Sequence, residues 1–215
     1  MKRQLVIFAR YPQPHETKTR LIATLGPAGA ADLQRDMTRH TLAWAGAFAR
    51  LHRVSLEIRS AGGDAALMAS CFGSGLAYRP QGTGDLGCRM QRAFAEVFPA
   101  GAQQVLVIGT DCPDLTPELV AKAFGELANH DLVLGPAQDG GYYLIGLRRP
   151  VPELFCDMAW GSAAVLPETV RRAVDVEMAG ARGDRALVED DLVALDAANM
   201  PEADDVLDAA QQIEL

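Results

Sequence analysis

The stretch Val105–Leu115, VLVIGTDCPDL, decides the fold of this chain. Its first residues, Val105 to Ile108, are all apolar, which is typical of a short strand buried in a sheet. Gly109 and Thr110 then lead to Asp111 at the end of that strand. Asp111 is therefore either a turn residue close to Pro113 or the anchor of a site, and this stretch alone leaves both interpretations open.

Strand and helix patterns alternate along the rest of the chain. Strands are predicted at QLVIFA, RVSLEI, GLAYRP, QQVLVIGT, DLVLGPA, YYLIGL and, more weakly, ALVEDDLVAL. Helices are predicted from Gly26, after Asp64, after the loop QGTGDLGCRM, after Thr116, after WGSAAV and from Pro201. This alternation predicts an α/β fold, with a mainly parallel mixed sheet and helices on both faces, in a single domain over residues 1–215. Gly140 and Gly141 predict an antiparallel hairpin between DLVLGPA and YYLIGL.

The composition narrows the class of partner. Of 215 residues, 49% are hydrophobic and 22% charged, which is ordinary for a globular domain. The formal net charge of −8 argues against a nucleic-acid-binding surface. The first apolar run stops at Ala9, too early for a signal peptide, and no stretch approaches the ~20 apolar residues that span a bilayer. We therefore expect a cytoplasmic protein with neither a nucleic-acid nor a membrane partner.

The four cysteines form no CxxC pair, so neither a structural zinc site nor a disulfide framework is indicated. Cys112 lies beside Asp111, but no histidine is near it in the sequence. A buried, unreactive thiol is therefore the favoured interpretation, and a nucleophile the less favoured one.

Two carboxylates follow buried strands. Asp111 ends one strand and Asp139 follows another, so both are expected at the same edge of the sheet, where ligands of such folds collect. Two oxygen ligands that leave several waters in place suit Mg²⁺ or Mn²⁺, which in turn holds a diphosphate. The alternative for Asp139 is a hairpin-turn residue. Asp114 is a weaker candidate, because it leads into the Thr116 cap.

A basic loop follows the first strand. In ARYPQPHETKTRL, Arg10, Lys18 and Arg20 provide the donors that a phosphate requires. The glycines of a P-loop are missing. A solvated surface loop is the alternative, and for three basic residues considered alone it is the favoured one.

A third loop, QGTGDLGCRM, has three glycines that allow its backbone to approach a ligand closely. Its Asp85 is a candidate ligand for ribose hydroxyls, although a plain mobile loop would show the same pattern. Trp160 lies outside any strong periodic pattern and is a candidate binding-site aromatic, with packing as the alternative.

Taken together, these segments resemble a known family. FARYPQPHETKTRL, QGTGDLGCRM, GTDCPDL, LGPAQDGGYYLIGL and WGSAAVLPET, in this order from about Leu5 to Thr169, resemble the bacterial glycosyltransferase-like family associated with arsenosugar biosynthesis. That family resembles the GT-A nucleotide-diphospho-sugar transferases in fold. The resemblance implies a GT-A-like three-layer sandwich that binds a nucleotide over its first strands.

The resemblance also implies roles for individual residues. Asp111 would bind the divalent cation, and Asp139 of the Asp-Gly-Gly motif would face the acceptor or the metal, where it is a candidate catalytic base. The nucleotide-binding set is Arg10, Lys18, Arg20, Gln81, Gly82, Asp85 and Arg89. The substrate-binding set is Gly140, Gly141 and Trp160.

This chain departs from the family pattern at two places. His15 stands where the family usually has glycine before Lys-Thr-Arg, which puts a close backbone approach there in doubt. The family's C-terminal Asp-Val-Asp-Thr element is replaced by ALDAANMPEADDV. Asp196 is its nearest counterpart, and we assign it no metal role.

These observations predict a metal-dependent glycosyltransferase that takes a nucleotide-diphospho-sugar donor and a small-molecule acceptor. One alternative is a nucleotidyltransferase resembling the molybdenum-cofactor and phospholactate guanylyltransferases, which share the fold and release pyrophosphate. Another is a nucleotide-binding module that has lost activity. The sequence leaves open the donor base and sugar, the acceptor, the stereochemical outcome and the oligomeric state.

Overall fold

Strands and helices alternate in the order that the sequence predicts. The computed structural model describes residues 1–179 and 192–194. The strands are β1 Arg3–Arg10, β2 Val54–Ala61, β3 Tyr78–Pro80, β4 Gln104–Ile108, β5 Leu132–Pro136, β6 Tyr142–Leu147 and β7 Leu192–Ala194. The helices are α1 Ile22–His52, α2 Ala65–Phe72, α3 Leu86–Val97, α4 Pro117–Glu126 and α5 Val165–Ala179.

The seven strands of the described part form one mixed sheet in the order β3-β2-β1-β4-β6-β5-β7. Strand β1 pairs in parallel with β2 on one side and with β4 on the other. Strand β6 is antiparallel to both β4 and β5, which confirms the predicted hairpin. Because β6 reverses direction, β5 points the same way as β4, and the two strands end at the same edge of the sheet.

Each face of the sheet is covered by helices, as predicted. The alternate β1 residues Leu5 and Ile7 belong to a core that includes Phe48 of α1 and Phe124 of α4. Val6, which points to the opposite face, belongs to a second core that contains residues of α3 and α5. The fold is thus an α/β sandwich of three layers, with the sheet in the middle.

Helix caps fix where several elements begin. The Asp64 side chain caps α2 by accepting from the Leu67 amide, and Thr116 caps α4 with Pro117 in the first turn.

In α1 the residue Gly26 has φ 71° and interrupts the helix just before Pro27. Proline fixes its own φ and lacks an N–H, so the long helical run begins after Gly26, as the sequence predicts.

Two sequence predictions lie outside the described residues. They are the helix from Pro201 and the C-terminal counterpart Asp196. The weaker strand predicted within ALVEDDLVAL is present as β7, which pairs in parallel with β5.

Candidate nucleotide-binding site

The site lies where the chain order of the sheet switches direction. From β1 the chain moves to β2 and β3 on one side, and then returns to β4 on the other side of β1. The loops after β1 and β4 therefore leave the same edge from neighbouring strands and diverge above it. Such a point in an open parallel sheet is where ligands bind.

Lys18 and Asp111 meet at this point. The Lys18 Nζ atom lies 3.4 Å from the Asp111 Oδ1 atom. The Lys18 side chain is only 14% exposed, whereas that of Asp111 is 69% exposed. The carboxylate is therefore open to solvent and to a ligand, while the ammonium is held against the protein. The structure thus brings the first loop and the β4 loop together at this edge.

The loop after β1 is held from inside by Thr17. This residue is fully buried, and its Oγ1 atom donates to the Tyr11 carbonyl while accepting from the Gln13 amide. Beyond it, Lys18 adopts a left-handed conformation with φ 45° and begins a short 3₁₀ helix, Thr19–Leu21. The turn therefore has a fixed shape that directs the Lys18 side chain toward Asp111.

The other two predicted cations of this loop are placed differently. The Arg10 guanidinium donates to the Glu16 carbonyl at 3.3 Å, so it folds back on its own loop. Arg20 is an exposed residue of the 3₁₀ helix. Their contact with phosphate stays a prediction.

His15 adopts the left-handed conformation, with φ 68°. An L-residue is disfavoured there because its Cβ crowds the backbone, whereas glycine adopts it freely. The loop therefore keeps the backbone geometry that a glycine would favour, although the sequence places histidine at that position.

A helix residue that sequence reasoning missed fixes the loop after β4. Gln34 of α1 is buried, and its Nε2 atom lies within hydrogen-bonding distance of the Thr110 Oγ1 atom, at 3.2 Å, and of the Thr38 Oγ1 atom, at 3.3 Å. Thr110 is itself 3% exposed and immediately precedes Asp111. The signal available in the sequence was a polar residue on the apolar stripe of α1, between Leu33 and Met37.

Cys112 is a half-buried thiol in the loop after β4. Burial raises its pKa to about 12, so the neutral thiol predominates at physiological pH. This agrees with the interpretation of Cys112 as an unreactive residue.

The glycine-bearing loop is tied to α3 by two arginines. Arg92 donates to the carbonyls of Gln81 and Thr83, and Arg89 donates to the carbonyl of Gly84. Gly82 has φ 85°, and a side chain there would collide with the Arg92 guanidinium. Sequence reasoning missed Arg92, because nothing in the spacing shows that its side chain folds back onto the loop.

Gln81 and Asp85 have structural partners of their own. The buried Gln81 amide donates to the carbonyls of Ala9 and Arg59, which joins the ends of β1 and β2. The Asp85 carboxylate caps α3 by accepting from the Cys88 amide at 2.8 Å, and this bond lowers the pKa of Asp85. Contacts of these two side chains with a nucleotide stay predictions.

The hairpin residues after β5 form a tight turn. The Asp139 Oδ1 atom accepts from the Gly141 amide at 2.9 Å, which is the turn role weighed for it above. Gly140 has φ 82°, and a side chain there would collide with the backbone of Ala163. Gly140 also accepts from the Leu166 amide, so it holds the turn against the start of α5. The catalytic and substrate-binding roles of these residues are not tested by these contacts.

Trp160 packs against residues of β6 and of α3. Its ring lies edge-on to Tyr142, with centroids 6.4 Å apart. A side chain at Gly87, in the first turn of α3, would collide with the indole of Trp160 and with the Phe155 carbonyl. Trp160 therefore has a packing role, and its contact with a substrate stays a prediction.

Two carboxylates at this edge of the sheet are the candidate ligands for a divalent cation. Asp111 offers an exposed carboxylate, and Asp139 follows β5 at the same edge of the sheet. Across residues 1–179 and 192–194, no group of three or more His, Cys, Asp or Glu side chains is arranged to hold a metal ion. Binding of a divalent cation at this edge stays a prediction.

No helix among the described residues combines the length and the apolar character needed to cross a membrane.

Comparison with known proteins gives two close relatives. The chain is 30% identical to a phosphoenolpyruvate guanylyltransferase from Chloroflexus aggregans over 136 residues, which cover 63% of this chain and 67% of that protein. It is 35% identical to a crystal structure from Desulfovibrio desulfuricans G20, provisionally assigned as a nucleotide-diphospho-sugar transferase, with a TM-score of 0.76. That match covers 91% of this chain and 80% of the other.

A more distant structure supports the fold alone. The 4-diphosphocytidyl-2C-methyl-D-erythritol synthase from Anaerococcus prevotii is 11% identical, with a TM-score of 0.59 over 100% of this chain and 97% of its own. The fold class predicted from the sequence is therefore confirmed, whereas a link to arsenosugars stays a prediction.

The homologues are transferases of the nucleotide-diphospho-sugar and nucleotidyltransferase kind. Residues 41–162, more than half of the chain, match a single protein family, and they include the glycine-bearing loop, Asp111, the Asp-Gly-Gly turn and Trp160. The chain belongs to this family, which is described as uncharacterized proteins conserved in bacteria (DUF2064).

Proposed function

We propose that this protein is a metal-dependent transferase that binds the diphosphate of a nucleotide-diphospho-sugar at the Lys18–Asp111 edge and transfers the sugar to a small-molecule acceptor. The contact between these two side chains carries the proposal. In this contact an ammonium, which can donate to phosphate, lies beside a carboxylate, which can bind a cation, and a metal-bound diphosphate requires both kinds of group.

Each candidate residue would have a separate role in the reaction. Asp111, with Asp139 as the second candidate ligand, would hold Mg²⁺ or Mn²⁺, which supplies positive charge to the leaving diphosphate. Lys18 would neutralise further charge on the same oxygens, with Arg10 and Arg20 nearby in the chain. The loop from Gln81 to Arg89 would cover the nucleotide. Asp139 is the candidate acceptor of the hydroxyl proton of the acceptor substrate.

Nucleotidyl transfer is the second candidate function. It is favoured by the relative from Chloroflexus aggregans, whose name describes guanylyl transfer to phosphoenolpyruvate. The same two side chains would then bind a nucleoside triphosphate, and pyrophosphate would leave.

One assay separates these reactions. Purified protein is incubated with Mg²⁺ or Mn²⁺ and, in parallel, with nucleotide-diphospho-sugars, or with each of the four nucleoside triphosphates plus phosphoenolpyruvate or 2-phospholactate. Metal-dependent release of nucleoside diphosphate supports sugar transfer, whereas release of pyrophosphate supports nucleotidyl transfer. Binding with metal but without turnover of any donor supports the inactive module. Absence of any metal-dependent binding would contradict all three.

A further inference from the structure

We infer that Lys18 competes with the divalent cation for Asp111, so that the metal binds more tightly when nucleotide phosphates draw the ammonium away from that carboxylate. This inference rests on the proposed function, because it concerns the order in which metal and nucleotide occupy the same site.

The first support is the position of the ammonium. Nζ of Lys18 lies 3.4 Å from Oδ1 of Asp111, on the carboxylate that we propose for the cation. A like charge so close to a ligand opposes the binding of a second cation. A metal at Asp111 would therefore have to displace Lys18 or bind against its charge.

The second support is that the ammonium is presented by a shaped turn and not by a loose surface chain. Lys18 is 14% exposed and left-handed, and it follows the fully buried Thr17. The residue before its partner is also held, because the Thr110 hydroxyl lies within hydrogen-bonding distance of the buried Gln34 amide. Both loops that carry the pair are therefore anchored to the fold next to it.

The third support is that the pair is weak enough to exchange. Asp111 is 69% exposed, and ion pairs with a solvated partner contribute little to stability. Phosphate oxygens offer Lys18 several acceptors in place of one carboxylate. Nucleotide binding would thus release Asp111 to the metal and occupy Lys18 at the same time.

The experiment measures Mn²⁺ binding to the full-length, nucleotide-free protein by electron paramagnetic resonance of free Mn²⁺. The variants are Lys18→Met, which removes the charge and keeps an unbranched side chain, and Lys18→Arg, which keeps the charge. Lys122→Met is the control, because it removes one charge from an exposed position of α4 that has no role in the candidate site. Asp111→Asn identifies the site, and thermal unfolding verifies that each variant is folded.

We expect Lys18→Met to bind Mn²⁺ two- to fivefold more tightly than wild type, on the scale of an exposed ion pair. Lys18→Arg and Lys122→Met should stay within error of wild type, and the gain should vanish in Lys18→Met/Asp111→Asn. Addition of GDP should increase the affinity of wild type for Mn²⁺. The increase should be smaller in Lys18→Met, because its Asp111 carboxylate is already free of the ammonium.

The inference is overturned if Lys18→Met binds Mn²⁺ no better than wild type, or if Lys122→Met gains as much. If wild type nevertheless binds Mn²⁺ with a nucleotide, the proposed function survives that result. If no variant binds Mn²⁺ with or without nucleotide, the inference and the metal-dependent function fail together.

Discussion

The Lys18 ammonium and the Asp111 carboxylate face each other across the junction between β1 and β4, 3.4 Å apart. Each belongs to a loop that begins where its strand ends, and β1 and β4 are paired in parallel from Arg3 to Ile7 of β1. Parallel pairing makes the two loops leave the same edge of the sheet. The order of the strands therefore brings the two side chains to the same edge of the sheet.

Asp111→Asn should weaken metal-dependent nucleotide binding by about tenfold or more, which corresponds to about 1.4 kcal/mol. The amide keeps the shape of the side chain but removes the charge that a divalent cation requires. Stability should change little, because the side chain is 69% exposed. The measurement is the thermal shift caused by nucleoside diphosphates and nucleotide-sugars with and without Mn²⁺.

Asp114→Asn is the matched control for this variant. Asp114 is exposed, lies in the same loop and loses the same charge. It should keep the wild-type ligand shift. Equal shifts in wild type and Asp111→Asn would remove Asp111 from the site.

Gln34→Leu should destabilise the protein by about 1–3 kcal/mol, because it leaves the buried Thr110 hydroxyl without the amide that lies 3.2 Å from it. It should also weaken nucleotide binding, since Thr110 positions the following Asp111. Urea unfolding measures the loss of stability, and the thermal shift caused by nucleotide measures the loss of binding. In Gln34→Leu/Thr110→Val both polar partners are absent, so stability should recover in part. A double variant as unstable as the sum of the single ones would show that the two side chains are not coupled.

The sequence predicted those parts of the fold that depend on local pattern. Apolar runs located the strands, and Asp64 and Thr116 located helix starts, because capping depends only on residues within one turn. The same logic predicted that Asp111 and Asp139 follow strands that end at one edge of the sheet. These predictions required no knowledge of which side chains touch.

Contacts between distant segments could not be predicted in this way. Gln34 lies within hydrogen-bonding distance of Thr110, and Arg92 occupies the space next to Gly82. Both contacts depend on how the helices pack against the sheet, which local sequence does not determine. Asp85 is a further example. Its place in a glycine-bearing loop makes it a candidate ligand for ribose hydroxyls, and the structure shows that its carboxylate also caps α3.

Gly82→Ala should both destabilise the protein and weaken nucleotide binding. The added methyl group would collide with the Arg92 guanidinium, and alanine is strained at φ 85°. We expect a loss of about 1–3 kcal/mol in the free energy of unfolding, measured with urea. Gly75→Ala is the control, because nothing lies within 4 Å of the position of its new methyl group. Adding Arg92→Ala should not restore stability, because it removes two hydrogen bonds to the loop together with the collision. No loss in Gly82→Ala would contradict this account.

Cys112 should resist alkylation at pH 8, whereas the exposed Cys88 and Cys156 should react. A thiol reacts as its thiolate, and burial raises the pKa of Cys112 to about 12, so the thiolate appears only as the pH rises toward that value. At pH 8 on the order of one molecule in 10⁴ would carry it. Peptide mapping after iodoacetamide treatment measures the difference, and all four cysteines should react in urea. Rapid labelling of Cys112 in the native protein would reopen its role as a nucleophile.

His15→Gly should stabilise the protein by about 0.5–1 kcal/mol. The left-handed backbone at φ 68° disfavours an L-residue by about 1–2 kcal/mol, and the greater freedom of glycine in the unfolded chain offsets part of that gain. Urea unfolding measures the change, and His15→Ala isolates its origin. Alanine removes the imidazole but keeps the strain, so it should give no stabilisation. If alanine stabilised the protein as much as glycine, the imidazole itself, and not the backbone conformation, would be the unfavourable feature of this loop.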